Sequence, residues 1–191
     1  GGGAVATRKA RAFAGRSLVT VVSRSFHPDL PPGVERVEAE IGSMEEEMLR
    51  SLCTGVFLVI AATPDPAIND RVVRIAREVG AHANNAAGIP GDVQLPAVSR
   101  GERYLVAVST SGESPGIARF IREAIERTFP SLDRMIALQG RLRSALRERS
   151  GDQGERSAIL RRVLEDQEVW AALDRDEAQA WQLVEARYVH A

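Results

Sequence analysis

The chain has 191 residues, 44% hydrophobic and 27% charged, which suffices for one sizeable core and a smaller unit. Its 25 Lys and Arg residues are balanced by 26 Asp and Glu residues, so we expect neither nucleic acid nor an anionic membrane as a partner. Its one Cys and three scattered His residues predict no disulfide and no metal site. We expect a cytoplasmic globular protein.

The chain opens on a glycine-rich turn that leads into a predicted helix over residues 4–14. Written as Gly1-x-Gly3-x-x-Ala6, this turn fits the dinucleotide-binding fingerprint, in which glycines let the backbone approach a pyrophosphate at a helix N-terminus. Such a turn normally follows a buried strand. We therefore expect a first strand upstream of Gly1, and without it we expect marginal folding and poor cofactor binding.

The next elements alternate between strand and helix. The predicted elements, in chain order, are a strand at 18–22, a helix at 44–52, a strand at 56–62, a helix at 65–79 and a short strand at 81–84. Residues 56–62 form a continuous apolar run, which is typical of a parallel strand buried on both faces. The alternation predicts an α/β fold with an open, Rossmann-like parallel sheet.

The pattern changes after residue 92. The later predicted elements are a hairpin of strands 93–98 and 104–109, a helix over 114–128, and helical sequence from 132 onward with breaks near 150–152 and near 173–174. This organisation predicts three parts: a dinucleotide-binding domain over 1–92, a segment of hairpin plus helix over 93–130, and an all-α domain over 131–191.

Polar residues follow the strand at 18–22, where dinucleotide-binding folds usually place an acid for the ribose hydroxyls. Here the residues are Ser23, Arg24 and Ser25. Ser25 can bond a ribose, and Arg24 can lie against adenine or attract a 2′-phosphate, so the choice between NAD and NADP stays open. Thr63 offers a hydroxyl at the end of the next strand, or is simply part of a strand end before a helix cap.

The stretch from Ser109 to Pro115 joins a predicted strand to a predicted helix. Ser114 is the expected helix cap with Pro115 in the first turn, and the free N–H groups and hydroxyls of this stretch suit an anion. Arg119 follows within two helical turns. A well-capped helix with solvated arginines is an equally weighted interpretation.

Four stretches carry a resemblance to a known family. They are residues 1–10 (GGGAVATRKA), 20–23 (TVVS), 60–69 (IAATPDPAIN) and 105–119 (LVAVSTSGESPGIAR). Together and in this order they resemble the precorrin-2 dehydrogenase and sirohydrochlorin ferrochelatase family, the module found alone or at the N-terminus of sirohaem synthase. The resemblance covers essentially the whole chain, and it implies an NAD-binding domain, a dimerisation segment and a small helical domain in an interlocked homodimer.

The resemblance also implies a reaction and its residues. Family members pass a hydride from precorrin-2 to NAD⁺ to give sirohydrochlorin, and some then insert Fe²⁺, which enters only as a substrate. Carried over by motif, the NAD contacts are Gly1, Gly2, Gly3, Ala4, Val5, Arg24, Ser25 and Thr63. Contacts to the carboxylates of the substrate are expected from Ser109, Thr110, Ser111, Gly112, Ser114 and Arg119.

One departure affects catalysis. The family places an aspartate, its assigned general base, a few residues after an Asn, and here that place falls on Ala87 or Gly88. Neither side chain takes up a proton, and losing a positioned base costs about 10²–10⁴-fold in rate. Asp92 is the nearest carboxylate and our expected substitute. The second interpretation is a tetrapyrrole- or NAD-binding carrier or regulatory protein without redox activity.

Overall fold

The computed structural model describes residues 1–149 and 152–190, and the chain forms two compact units, Gly1–Leu95 and Pro96–Ala191. The elements of the first unit are α1 (Ala4–Phe13), β1 (Thr20–Ser23), β2 (Glu35–Glu38), α2 (Glu46–Cys53), β3 (Leu58–Ala61), α3 (Pro66–Glu78) and β4 (His82–Asn85). Those of the second are β5 (Ala97–Arg100), β6 (Leu105–Val108), α4 (Pro115–Thr128), α5 (Leu132–Arg149), α6 (Gln153–Glu165), α7 (Gln167–Arg175), α8 (Glu177–Val184) and a π-helical turn (Glu185–Val189).

The first unit contains two separate pairs of parallel strands instead of one continuous sheet. β1 pairs with β2, placing Val22 opposite Val37, and β3 pairs with β4, placing Ile60 opposite Asn84. The strand β2 was not among the predicted elements because its sequence, Glu-Arg-Val-Glu, carries a single apolar residue. Backbone pairing with β1 makes this segment a strand, although its side-chain pattern does not indicate one.

Helix α3 forms the centre of the larger core of the first unit. Asp65 caps it by accepting a hydrogen bond from the Ala67 N–H at 2.8 Å, with Pro66 in the first turn. Gly80, at φ +83°, ends the helical region as its sequence position predicts. The buried side chains of α3 pack with α2, β3 and β4, and they are Asn69, Val72, Val73, Ile75 and Ala76.

The second unit begins with the predicted hairpin, which the structure confirms. β5 and β6 are antiparallel, with Ser99 opposite Val106, and α4 packs against both strands. Ser114 caps α4 by accepting from the Ile117 N–H at 3.3 Å, again as predicted. Only Ala118 of this helix is buried within the described chain, so most of its apolar surface is uncovered.

The remaining helices surround a core of their own. Met135, Leu138, Leu142 and Leu146 lie at three- and four-residue spacings on α5, which brings them to one buried face. This core also contains Val163, Val169, Leu173, Ala180, Trp181, Val184 and Val189. None of the helices in residues 1–149 and 152–190 is both long and apolar enough to span a membrane.

The predicted helix breaks need one correction. Of the break at 150–152, residues 150 and 151 lie outside the described part of the chain. The break predicted near Leu173 and Asp174 is displaced by two residues, because both lie inside α7 and the interruption is at Asp176. The described interruptions are at Asp152, Asp166 and Asp176, whose side chains accept hydrogen bonds from the first N–H groups of α6, α7 and α8, and the one at Asp166 was not predicted.

Candidate functional site

The first two glycines lie where no other side chain fits. A Cβ atom on Gly1 would be 2.3 Å from the carbonyl oxygen of Ala62, and one on Gly2 would be 2.2 Å from the carbonyl oxygen of Ser25. The Gly2 carbonyl also accepts a hydrogen bond from the His27 N–H at 2.8 Å. The turn Gly1–Gly3, termed the glycine loop, is therefore packed between the chain that follows β1 and the chain that follows β3.

Gly3 differs from its two neighbours. Nothing lies within 4 Å of the point that its Cβ would occupy, and it immediately precedes α1. No side chain caps this ten-residue helix, so its first N–H groups have no side-chain acceptor. Open space beside a bare backbone at a helix N-terminus fits a phosphate group. The open space at Gly3 and the uncapped N–H groups of α1 therefore fit the pyrophosphate of a dinucleotide.

All eight predicted cofactor residues border one cavity of about 720 Å³, termed the cleft. They are Gly1, Gly2, Gly3, Ala4, Val5, Arg24, Ser25 and Thr63. The cleft is also lined by Ser23, Ala39, Glu40, Ile41, Gly42, Ala62, Pro64, Asp65, Ile68, Ala86 and Ala87. The structure thus brings together residues that lie up to 62 positions apart in the sequence, from Gly1 to Thr63, while their role as cofactor contacts remains a prediction.

An ion pair occupies one corner of the cleft. Arg24 Nε lies 2.7 Å from Glu40 Oε2, and Glu40 Oε1 accepts the Gly42 N–H at 3.0 Å. Sequence reasoning missed Glu40 because it follows the unpredicted strand β2. An acid just after a strand that pairs with β1 is the signal that would have identified it.

Asn69 connects two loops that line the cleft. It is fully buried, and its Oδ1 accepts from both the N–H and the hydroxyl of Thr63, each at 2.8 Å. Its Nδ2 donates to the carbonyl oxygens of Thr63 at 3.1 Å and Ala87 at 3.2 Å. Sequence reasoning missed this role, although an Asn on the apolar face of a predicted helix is the available signal.

The carboxylate of Asp70 holds the chain that follows β4 in place. Asp70 Oδ1 accepts from Asn85 Nδ2 and from the Ile89 N–H, both at 2.8 Å. A Cβ on Gly88 would be 2.0 Å from this oxygen, and Gly88 has φ +122°. Position 88 therefore has no room for a side chain. Of the two places for the family aspartate, Ala87 is the one that borders the cleft.

Asp92 is not among the residues that border the cleft. Its Oδ1 is 2.6 Å from Arg77 Nε, and its Oδ2 accepts from the Ala83 N–H at 3.0 Å. The bond to Arg77 holds the pKa of the Asp92 carboxyl below its usual range. A carboxylate with bonded oxygens and a lowered pKa is a weak proton acceptor.

The predicted substrate residues lie in the second unit, around the loop between β6 and α4. The loop bonds to itself: Ser109 Oγ accepts from the Ser111 N–H at 3.2 Å, and Thr110 Oγ1 accepts from the Ser114 N–H at 3.1 Å. Ser111, at φ +54°, and Gly112, at φ +87°, both adopt left-handed backbone conformations. Arg119 Nε is 2.7 Å from Glu123 Oε1. Substrate binding by these residues stays a prediction.

Lys9 links helix α1 to the end of β4. Its Nζ donates to Asn84 Oδ1 at 2.8 Å, and Asn84 Nδ2 donates to the Val93 carbonyl at 2.7 Å. Burial, followed by the charge of Arg8, lowers the pKa of Lys9.

Across the described residues, no group of three or more His, Cys, Asp or Glu side chains is placed to hold a metal ion.

The chain is similar in sequence to a family model and to curated relatives. A family model described as putative NAD(P)-binding matches residues 1–97. The precorrin-2 dehydrogenase of Methanosarcina barkeri (strain Fusaro / DSM 804) is 35% identical over 176 residues, covering 89% of this chain and 78% of the relative. Siroheme synthase 1 of Aeromonas salmonicida (strain A449) is 33% identical over 197 residues, covering 98% of this chain but 41% of the relative.

A solved structure shares the fold. SirC, precorrin-2 dehydrogenase, superposes with a TM-score of 0.66 at 23% sequence identity, and the match covers 97% of this chain and 92% of that one. The mixed α/β architecture is therefore that of a known structure. The chain spans about two fifths of the sirohaem synthase, so the activity of that whole protein does not transfer by length alone.

Proposed function

Since the chain belongs to the family of precorrin-2 dehydrogenases and of the sirohaem synthases that contain this module, we propose that it is an NAD-dependent precorrin-2 dehydrogenase. The reaction converts precorrin-2 and NAD⁺ to sirohydrochlorin, NADH and a proton, within sirohaem biosynthesis. The observation that carries the proposal is that eight residues assigned by motif border a single cleft beside the N-terminus of α1.

The residues of the cleft divide the binding task. The open backbone at Gly3 and the first N–H groups of α1 suit the pyrophosphate. Ser25, Arg24 and Glu40 lie at the corner suited to a ribose, and Ala62, Thr63 and Ala87 line another part of the cleft. Small side chains there leave room for a flat ring. When bound, the cofactor supplies the acceptor for the hydride.

Loss of the hydride is accompanied by loss of a proton, for which Asp92 is the acceptor assigned from the sequence. The bond to Arg77 lowers the pKa of its carboxyl group further below neutral pH, and the carboxylate bonds to Arg77 and to the Ala83 N–H and does not border the cleft. Asp92 is the base that we propose from the sequence. In the described arrangement Asp92 is therefore not placed to receive the proton.

The test is anaerobic incubation of the chain with precorrin-2 and NAD⁺. We expect NADH and sirohydrochlorin to appear in equal amounts, and the absorbance band of each product measures its amount. A matched reaction with Glu38→Gln, an exposed position on β2, controls for handling. The absence of both products, with the chain folded and both reactants intact, overturns the proposal.

A second function is favoured by the missing carboxylate at position 87 and by the engagement of Asp92 with Arg77. It is a tetrapyrrole- or NAD-binding carrier or regulatory protein without redox activity. Tight binding of sirohydrochlorin without NADH formation would establish it, and failure to bind any tetrapyrrole would remove it.

We also propose that the chain is a homodimer, as the family resemblance implies. Apolar side chains on the hairpin and α4 are exposed to solvent in a single chain: Val98, Leu105, Ile117, Phe120 and Ile121. Because uncovered apolar surface of this kind is characteristic of interfaces, a second copy of the chain is the proposed cover.

Fe²⁺ insertion into sirohydrochlorin is a further proposed activity, with the macrocycle nitrogens as ligands of the incoming iron.

A further inference from the structure

We infer that Glu40 makes the cleft selective for NAD over NADP. The inference rests on the proposed function, because it concerns the cofactor bound by the same cleft. Glu40 stands at the corner that follows β1 and β2, beside Ser23, Arg24 and Ser25. The motif left the choice of cofactor open because Arg24 alone is compatible with a 2′-phosphate.

Arg24 is the one basic side chain among the described residues that line the cleft. Its Nε lies 2.7 Å from Glu40 Oε2, which is the distance of a charge-assisted hydrogen bond. A 2′-phosphate that approached Arg24 would therefore also approach an ionised carboxylate. Attraction to the guanidinium is offset by repulsion from Glu40, so the corner offers the phosphate no net positive charge.

The carboxylate of Glu40 has a second anchor that does not involve Arg24. Its Oε1 accepts the Gly42 N–H at 3.0 Å, and a Cβ on Gly42 would be 3.3 Å from the same oxygen. Arg24 is highly exposed and can move away with little cost, since exposed ion pairs are weak. The backbone bond keeps Glu40 in place when Arg24 moves, so the negative charge persists.

The same carboxylate suits the unphosphorylated ribose. Two hydroxyl groups on neighbouring carbons are hydrogen-bond donors, and an ionised carboxylate is an acceptor only. Dinucleotide-binding folds commonly use an acid in this way at the end of the second strand. Here β1 ends in Ser23, and the acid comes instead from the residues after β2, the strand paired with it.

The experiment measures binding instead of turnover. NAD⁺ and NADP⁺ are titrated calorimetrically into the full chain, Glu40→Gln and Glu38→Gln. Glu38 is an exposed acid on β2 that does not line the cleft, so its variant controls for net charge. We expect the chain and Glu38→Gln to bind NAD⁺ about tenfold or more tightly than NADP⁺, and Glu40→Gln to reduce that ratio about tenfold.

Two results overturn the inference: equal or tighter binding of NADP⁺ by the unmodified chain, or a ratio unchanged in Glu40→Gln. In Glu40→Gln the guanidinium of Arg24 is free to contact the 2′-phosphate. Adding Arg24→Gln to this variant removes that contact and should lower its NADP⁺ affinity again. Failure to bind either nucleotide overturns both this inference and the proposed function. Selective binding without precorrin-2 turnover removes the proposed reaction and leaves the role of Glu40 standing.

Discussion

Asn69 Oδ1 accepts two hydrogen bonds from Thr63, one from its N–H and one from its hydroxyl, each at 2.8 Å. The amide of the same side chain donates to the carbonyl of Ala87 at 3.2 Å. Thr63 and Ala87 border the cleft from different loops. One fully buried side chain therefore sets the distance between the two loops.

Replacing Asn69 with Leu should lower the free energy of unfolding by about 1–3 kcal/mol for each buried backbone group left unpaired. The matched control is Thr63→Val, which removes one hydroxyl and should cost about 1 kcal/mol. Urea unfolding measures both values. A cost for Asn69→Leu no larger than that for Thr63→Val would contradict the assigned role.

Asp92 predicts how stability responds to acid. Because Arg77 lowers its pKa in the folded chain, the unfolded chain takes up the proton first as pH falls. The stabilisation is fully present above the unfolded value of about 4 and is lost as pH falls through the lower folded value. Thermal unfolding between neutral and acidic pH should therefore show a shallower acid loss in Asp92→Asn. Identical pH profiles would sink the idea.

Restoring a carboxylate at position 87 should accelerate the reaction. Ala87 borders the cleft, so Ala87→Asp should raise precorrin-2 turnover by about 10²-fold, the lower end of the gain from a positioned base. The matched control is Gly88→Asp, where Asp70 and the positive φ leave no room, and it should lower stability without a gain in rate. No gain in a folded Ala87→Asp variant that still binds NAD⁺ would exclude the missing base as the limiting factor.

The proposed dimer makes Phe120 the side chain to change, because it is 61% exposed at the centre of the α4 sequence. Phe120→Asp should shift the chain from dimer to monomer in sedimentation equilibrium, since a charge then replaces an apolar contact. Arg127→Gln, on an exposed position of the same helix, should remain dimeric. A monomeric unmodified chain at every concentration would refute the proposal.

Local signals predicted much of this fold. Asp65 before Pro66 marked the start of α3, and the turn after Arg100 marked the hairpin, because each depends on neighbouring residues alone. Strand β2 escaped prediction because its pairing with β1, and not its side chains, makes it a strand. The helix break at Asp166 was missed and the one at Asp176 was displaced by two residues in the prediction, since Asp caps occur within otherwise helical sequence.

The residues of the cleft likewise include some that the sequence predicted and some that it did not. The glycine loop, Arg24, Ser25 and Thr63 were predicted because they belong to contiguous motifs that resemble a family. Glu40 and Asn69 were missed because their roles depend on contacts with Arg24 and Ala87, which lie 16 and 18 positions away. Such contacts become visible only when the strands and α3 are placed in space.

The glycine loop and the N-terminus of α1 form the proposed dinucleotide site, and Gly3→Ala separates nucleotide binding there from folding. A Cβ at this position meets no atom within 4 Å, so the variant should keep the thermal stability of the unmodified chain. The added methyl group lies beside the cleft, and calorimetric titration should show NAD⁺ affinity reduced about tenfold or more by the lost close approach of the backbone. Unchanged NAD⁺ affinity in a stably folded Gly3→Ala variant would contradict a dinucleotide site at the glycine loop.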